Sequence, residues 1–127
     1  MHKTSSISQF SHVILLILTL LAPFAYADEY ASVNSLLRDG RLPEAMVSAE
    51  QYLAKNPRDP QMRFLRGLIQ QDGGDREGAI ATYSSLIHYY PELPEPYNNV
   101  AVLYAGQGQF AKARDALEMA TRNSRSY

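Results

Sequence analysis

Residues 97–120 read Tyr97-Asn98-Asn99-Val100-Ala101-Val102-Leu103-Tyr104-Ala105-Gly106-Gln107-Gly108-Gln109-Phe110-Ala111-Lys112-Ala113-Arg114-Asp115-Ala116-Leu117-Glu118-Met119-Ala120. Apolar residues recur at helical spacing on both sides of Gly106-Gln107-Gly108, so the stretch predicts two helices joined by a short turn. Shifted back by 34 residues, its landmarks meet their like. Gly108 falls on Gly74 and Gly40, and Ala113 falls on Ala79 and Ala45. Leu117 joins Tyr83 and Ala49, and Ala101 joins Gly67 and Val33 in a column of small or medium residues. Pro91 falls on Pro57, with Arg125 as the third member. Several columns at one spacing signal a stacked repeat architecture.

Each unit reads as a pair of helices. The first ends at the glycine column, where Gly takes a left-handed backbone at little cost. The second carries apolar residues at helical spacing, such as Ala79, Ile80, Tyr83, Leu86, Ile87 and Tyr90. Proline-containing turns close the first two units, at Asn56-Pro57-Arg58-Asp59-Pro60 and at Pro91-Glu92-Leu93-Pro94-Glu95-Pro96. The pattern predicts helices over 28–38, 43–55, 60–72, 76–89, 95–105 and 110–122, with no strands. The expected units are 28–59, 60–93 and 94–127.

The first 27 residues are a separate object. Val13 to Ala22 is a mostly apolar run, Pro23 breaks it, and Ala25-Tyr26-Ala27 fits the small-x-small cleavage pattern. The run is half the length a membrane-spanning helix needs. Residues 1–27 are therefore expected to be a secretory signal peptide cut between Ala27 and Asp28. The product would be periplasmic or secreted, with membrane contact only if the segment stays uncleaved.

Composition narrows the chemistry. The 127 residues carry 12 Lys+Arg against 13 Asp+Glu, a formal charge of −1. That balance speaks against a general nucleic-acid binder, which needs a basic excess. With no Cys, disulfides, thiolate metal sites, cysteine nucleophiles and a lipidated cysteine are excluded. His88 is the one histidine after the leader, and it has no ligand partner at helical spacing, so no zinc site is expected. It is also the sole candidate base for a hydrolase triad, and no Gly-x-Ser-x-Gly turn is present. The carboxylates fall mostly in turns or first helical turns, where they cap helices. No enzymatic activity, cofactor or metal is expected.

The 34-residue period resembles the tetratricopeptide repeat. The third unit matches its signature best, at Tyr97, Val100-Ala101, Tyr104, Gly108, Phe110, Ala113, Leu117 and Ala120. The resemblance implies an all-α, right-handed solenoid of three helix-turn-helix units, and it looks like the secreted or periplasmic members of Gram-negative bacteria. Departures stand out. The first unit has Glu29 and Ser32 where the motif prefers apolar residues, and the second has Arg63, Arg66 and Gln70 at packing positions. The resemblance further implies that first helices line a concave, partner-binding face. Its candidates here are Tyr30, Asn34 and Leu37, then Phe64, Leu68 and Gln71, then Asn98, Val102 and Ala105, with Asn99 at one side. A carboxylate clamp of the kind some family members use is not expected, because Tyr30 stands at its Lys position. Phe64 and Leu68 have a competing reading as core residues on a rotated helix. Tyr83, Tyr97 and Tyr104 read as core aromatics.

The expected function is an exported protein-interaction adaptor that binds a peptide or protein in the cell envelope. The alternative is an assembly subunit that self-associates or docks through its last helix. On that reading Leu117, Met119 and Ala120 leave apolar surface uncovered.

Overall fold

The computed structural model describes residues 28–126. The segment read as a signal peptide, residues 1–27, lies outside the described residues. The described residues form six α-helices and no strand. Helix α1 covers residues 28–38, followed by α2 (Leu42–Lys55), α3 (Pro60–Asp72), α4 (Arg76–Tyr89), α5 (Pro94–Gly106) and α6 (Phe110–Ser124). The observed ends depart from the expected ones by a residue or two. The largest departure is α6, which runs on to Ser124 because Arg125, and no proline, occupies the closing position.

The glycine column is explained by one backbone motif used three times. Gly40, Gly74 and Gly108 have φ of 72°, 80° and 74°. Each lies in the same pair of bonds. Arg41 N donates to Leu36 O, Asp75 N to Gln70 O and Gln109 N to Tyr104 O, all at 2.9 Å. The three glycine N–H groups donate to Leu37, Gln71 and Ala105 carbonyls at 3.1, 3.2 and 3.0 Å. This is the Schellman cap, which satisfies the last carbonyls of a helix and needs a residue of positive φ. Helix starts are set as locally. Pro60 opens α3 and Pro94 opens α5, where a missing N–H costs nothing. The Asp59 carboxylate accepts from Met62 N at 2.7 Å, and that of Asp75 from Gly78 N at 3.0 Å.

Each helix packs on its neighbours in the chain, α2 on α3, α3 on α4, α4 on α5 and α5 on α6. Most of the buried apolar residues fall into two clusters. One gathers Val33, Ala45, Ala49, Tyr52, Leu53, Met62, Leu65 and Ile69. The other gathers Ala79, Tyr83, Leu86, Val100, Ala101, Leu103, Ala113 and Ala116. Helix α3 faces both, giving Met62, Leu65 and Ile69 to the first and Phe64 to the rim of the second. That double duty accounts for its shifted apolar pattern. Gly67 allows the close approach of α3 and α4: a Cβ there would stand 2.5 Å from Tyr83 Cε1.

The departures from the repeat motif are visible as gaps in packing. Tyr97 and Val100 are buried, but in the same columns Arg63 and Arg66 are only half-buried, and Glu29 and Ser32 are exposed. Gln70 is satisfied by the Thr82 hydroxyl at 2.6 Å. Arg66 reaches Glu50 at 3.5 Å, but its Nε is buried without a hydrogen-bond partner. An orphaned donor costs free energy, and a half-exposed ion pair returns little. Arg66→Leu, which restores an apolar residue, is therefore expected to raise stability by about 1 kcal/mol, read as a higher urea midpoint at unchanged slope. A lower midpoint would refute this.

Candidate functional site

The first-helix face divides into residues that are open and residues already engaged. On α5, Asn98 and Ala105 are exposed and Val102 is 63% exposed. On α3, Phe64 is half-buried, its ring 5.7 Å from that of Tyr83. It walls an apolar cavity of about 220 Å³ with Pro60, Gln61, Leu93, Glu95 and Pro96. Phe64 thus combines the two readings made of it, with one side on the core and the other on a hollow between α3 and α5. Leu68 and Leu37 pack against the first core cluster.

Other candidates hold the stack together. The Tyr30 hydroxyl lies 2.8 Å from the Tyr52 hydroxyl and donates to Asp59 Oδ1 at 2.8 Å, joining α1 and α2 to the start of α3. Asn34 Nδ2 donates to the Tyr30 carbonyl at 3.0 Å, within its own helix. Asn99 Nδ2 donates to the Tyr83 hydroxyl at 3.1 Å, which donates to Gln71 Oε1 at 2.9 Å. Tyr30, Asn34 and Asn99 therefore spend polar groups inside the chain, a use that sequence register alone does not reveal.

Burial pushes the Tyr83 hydroxyl up to about 12, against the opposing pull of the Asn99 hydrogen bond. Tyr30 is raised as well, chiefly by burial and then by its bonds to Tyr52 and Asp59. A tyrosine raised in the folded state contributes stability in full below its unfolded value near 10. As pH climbs from there toward 12, the unfolded chain loses the proton first, so stability falls. The expected loss at Tyr83 is about 2 kcal/mol across that window. Urea unfolding at pH 9 and pH 11.5 measures it. Tyr83→Phe should flatten the dependence, and an equal slope in the variant would reject the assignment.

His88 is exposed in the last turn of α4, its ring edge-on to Tyr89 at 5.0 Å. Among the described residues no three or more His, Asp or Glu side chains are grouped to hold a metal ion. No helix there is long and apolar enough to cross a membrane.

The far end of the stack presents a second open surface. Phe110 is 71% exposed and Leu117 is 47% exposed, and they line a groove of about 620 Å³ with Ala113, Arg114, Arg122 and Arg125. Ala120, expected to be uncovered, is buried at 3% exposure, and Met119 is half-buried. Phe110 was not among the residues expected at this surface, but its repeat column identifies it. Leu42 lies against the next turn, where a Cβ at Gly73 would be 3.7 Å from its Cδ1. Arg76 lies against the turn after that, its Nη1 3.5 Å from the Gly106 carbonyl. Phe110, third in that column, meets no such turn among the described residues.

The sequence model described as tetratricopeptide repeat matches residues 30–94 and again residues 67–127. Among curated relatives, the Probable biofilm formation methyltransferase WspC of Pseudomonas putida is 30% identical over 95 residues, 75% of this chain and 22% of that protein. The Photosystem I assembly protein Ycf3 of Cyanophora paradoxa is 31% identical over 100 residues, 76% of this chain and 56% of that one. The chain thus spans about a fifth and about half of these relatives. Among solved structures, the Yersinia enterocolitica type III secretion chaperone SycD, in complex with a peptide of the translocator YopD, superposes with a TM-score of 0.72. That match has 18% identity and covers 78% of this chain and 76% of SycD, a likeness of fold.

Proposed function

The chain belongs to the tetratricopeptide repeat family, and on that premise we propose that it is an exported, non-enzymatic adaptor that holds a peptide or protein partner in the bacterial cell envelope. The observation that carries this reading is the open part of the first-helix face. Asn98 and Val102 are exposed on α5, and Phe64, Leu93 and Pro96 line an apolar hollow. An apolar or amphipathic segment suits such a surface. SycD, similar in fold, is a chaperone seen with a translocator peptide, which supports the reading by analogy. Export is supported by the apolar run Val13 to Ala22 and the Ala25-Tyr26-Ala27 site. The units are 28–59, 60–93 and 94–127.

A photo-reactive residue at position 98 or 102 is expected to crosslink one partner from a periplasmic extract, and Phe64→Asp should abolish the adduct. Recovery of no adduct above an unirradiated control would count against the adaptor reading. Mass spectrometry of the exported protein should find Asp28 at its amino terminus.

A second reading, an assembly subunit, is favoured by the Phe110 and Leu117 groove. It predicts that light scattering detects a species larger than the monomer, and that Phe110→Ser with Leu117→Ser returns it to the monomer.

A further inference from the structure

The middle of the stack carries charge where its neighbour carries apolar side chains. Arg63 and Arg66 occupy the columns of Tyr97 and Val100. Between α2, α3 and α4 they line a cleft of about 350 Å³ that also takes in Glu50, Leu53, Thr82 and Ser85. A second hollow, of about 310 Å³, is lined by Arg58, Arg63, Tyr89 and Tyr90. Arg63 stands in both walls, so the two hollows adjoin. Together their linings hold three guanidinium groups and one carboxylate, Glu50. None of the first-helix candidates belongs to either lining.

The details favour an occupant. Arg66 Nε is the single buried side-chain nitrogen or oxygen without a partner among the described residues. Glu50 engages only the other end of the group, at Nη1. Arg63 is held in place at two points: its Nε donates to the Pro57 carbonyl at 2.7 Å, and its guanidinium carbon lies 5.4 Å from the Tyr89 ring centre. The Tyr90 hydroxyl ties the loop by donating to the Arg58 carbonyl at 2.7 Å. A fixed, planar guanidinium beside an unmet N–H is matched to a carboxylate, which accepts two parallel hydrogen bonds. Tyr89, 63% exposed at the rim, offers the kind of aromatic surface that protein interfaces enrich.

We propose that this Arg58–Arg63–Arg66 cleft is a second binding site, separate from the first-helix face, that takes an acidic peptide segment of a partner protein. A Glu or Asp side chain of that segment draws the Arg66 guanidinium into the cleft, so that its Nε, covered in the free chain, donates to the carboxylate together with Arg63, and an adjacent residue lies on Tyr89. Two adjoining hollows ending on an aromatic ring fit a short run of residues better than a single small anion. The near-neutral charge of the whole chain leaves the attraction local, unlike the broad basic surface that nucleic acids require.

The test is a titration of the ¹⁵N-labelled full chain with acetylated hexaglutamate amide, watching the Arg66 Nε–Hε resonance in the wild type and the backbone amide resonances of residues 58–66 in every protein. Hexaglutamine and inorganic phosphate serve as the two comparison probes. Hexaglutamate should move the resonance, and hexaglutamine should not. Arg63→Leu and Arg66→Leu should each weaken binding about tenfold, and Val102→Ser on the other face should leave it unchanged. If a leucine variant does not fold, Arg66→Lys keeps the charge but lacks Nε, and should show the same loss. No shift with hexaglutamate, an equal shift with hexaglutamine, or full affinity in the Arg66 variants would overturn the proposal. A shift with phosphate at equal or lower concentration would overturn the peptide assignment.

Discussion

Gly67→Leu should cost about 3 kcal/mol of stability, the largest single loss expected in the chain outside gross core deletions. Position 67 has no room even for one carbon, since a Cβ would stand 2.5 Å from Cε1 and 2.9 Å from Cζ of Tyr83. The ring cannot swing aside. Tyr83 is fully buried, and its hydroxyl is held by Gln71 and Asn99. A leucine must therefore part α3 from α4. Gly67→Ala sets two terms against each other. Alanine in a helix gains about 1 kcal/mol over glycine, and the clash outweighs it, leaving a net loss near 1 kcal/mol. Tyr83→Leu combined with Gly67→Ala should lose less than the two changes summed, because the first removes the atoms that the second strikes. Urea unfolding followed by circular dichroism measures all four proteins. Wild-type stability in Gly67→Leu would show that the helix pair is not closed at this point.

Asp59→Ala should cost about 2–3 kcal/mol, more than the equivalent change at the other aspartate cap. Asp59 does two things at once. One oxygen caps α3 through Met62 N at 2.7 Å, and the other accepts from the Tyr30 hydroxyl at 2.8 Å. Loss of an N-cap costs about 1 kcal/mol, and a hydrogen bond to a charged acceptor adds about 1.5. Asp75 caps α4 through Gly78 N in an exposed turn, so Asp75→Ala should cost only about 1 kcal/mol. The location of the damage also differs. Hydrogen exchange in Asp59→Ala should quicken across α1, since the Tyr30 hydroxyl bonds that helix to the start of α3. Equal losses in the two variants, with α1 protection unchanged, would reject the double role.

Helix positions were legible in the chain because what sets them is local. A glycine at C′, a proline at the first helical position and an aspartate before a helix act within a few residues, and the glycine and the proline recur at 34-residue spacing. The triple column Gly40, Gly74 and Gly108 therefore located three turns before any contact was known. Side-chain engagement was less legible because it depends on which helix comes to stand opposite. Nothing near Tyr30 in the chain announces that its hydroxyl meets Asp59. Asn99 looks like an open groove residue until Tyr83, on another helix, is placed beside it. The rotation of α3 was half-visible: Phe64, Leu65, Leu68 and Ile69 marked an unusual apolar stripe, but only packing shows that the stripe serves two clusters. Arg63 and Arg66 were recognisable as departures from the repeat. Their meeting with Glu50, Pro57 and Tyr89 was not.

The packing of every helix on its chain neighbours also bears on how quickly the structure can be reached. Native partners in this fold lie a few dozen residues apart at most, so no long loop has to close before the first contacts reward it. Such a topology belongs to the fast end of the folding range, microseconds to milliseconds. Helix pairs can form in any order, each offering a template to the next. The two core clusters, sharing only α3, leave room for one half to be ordered while the other is still forming.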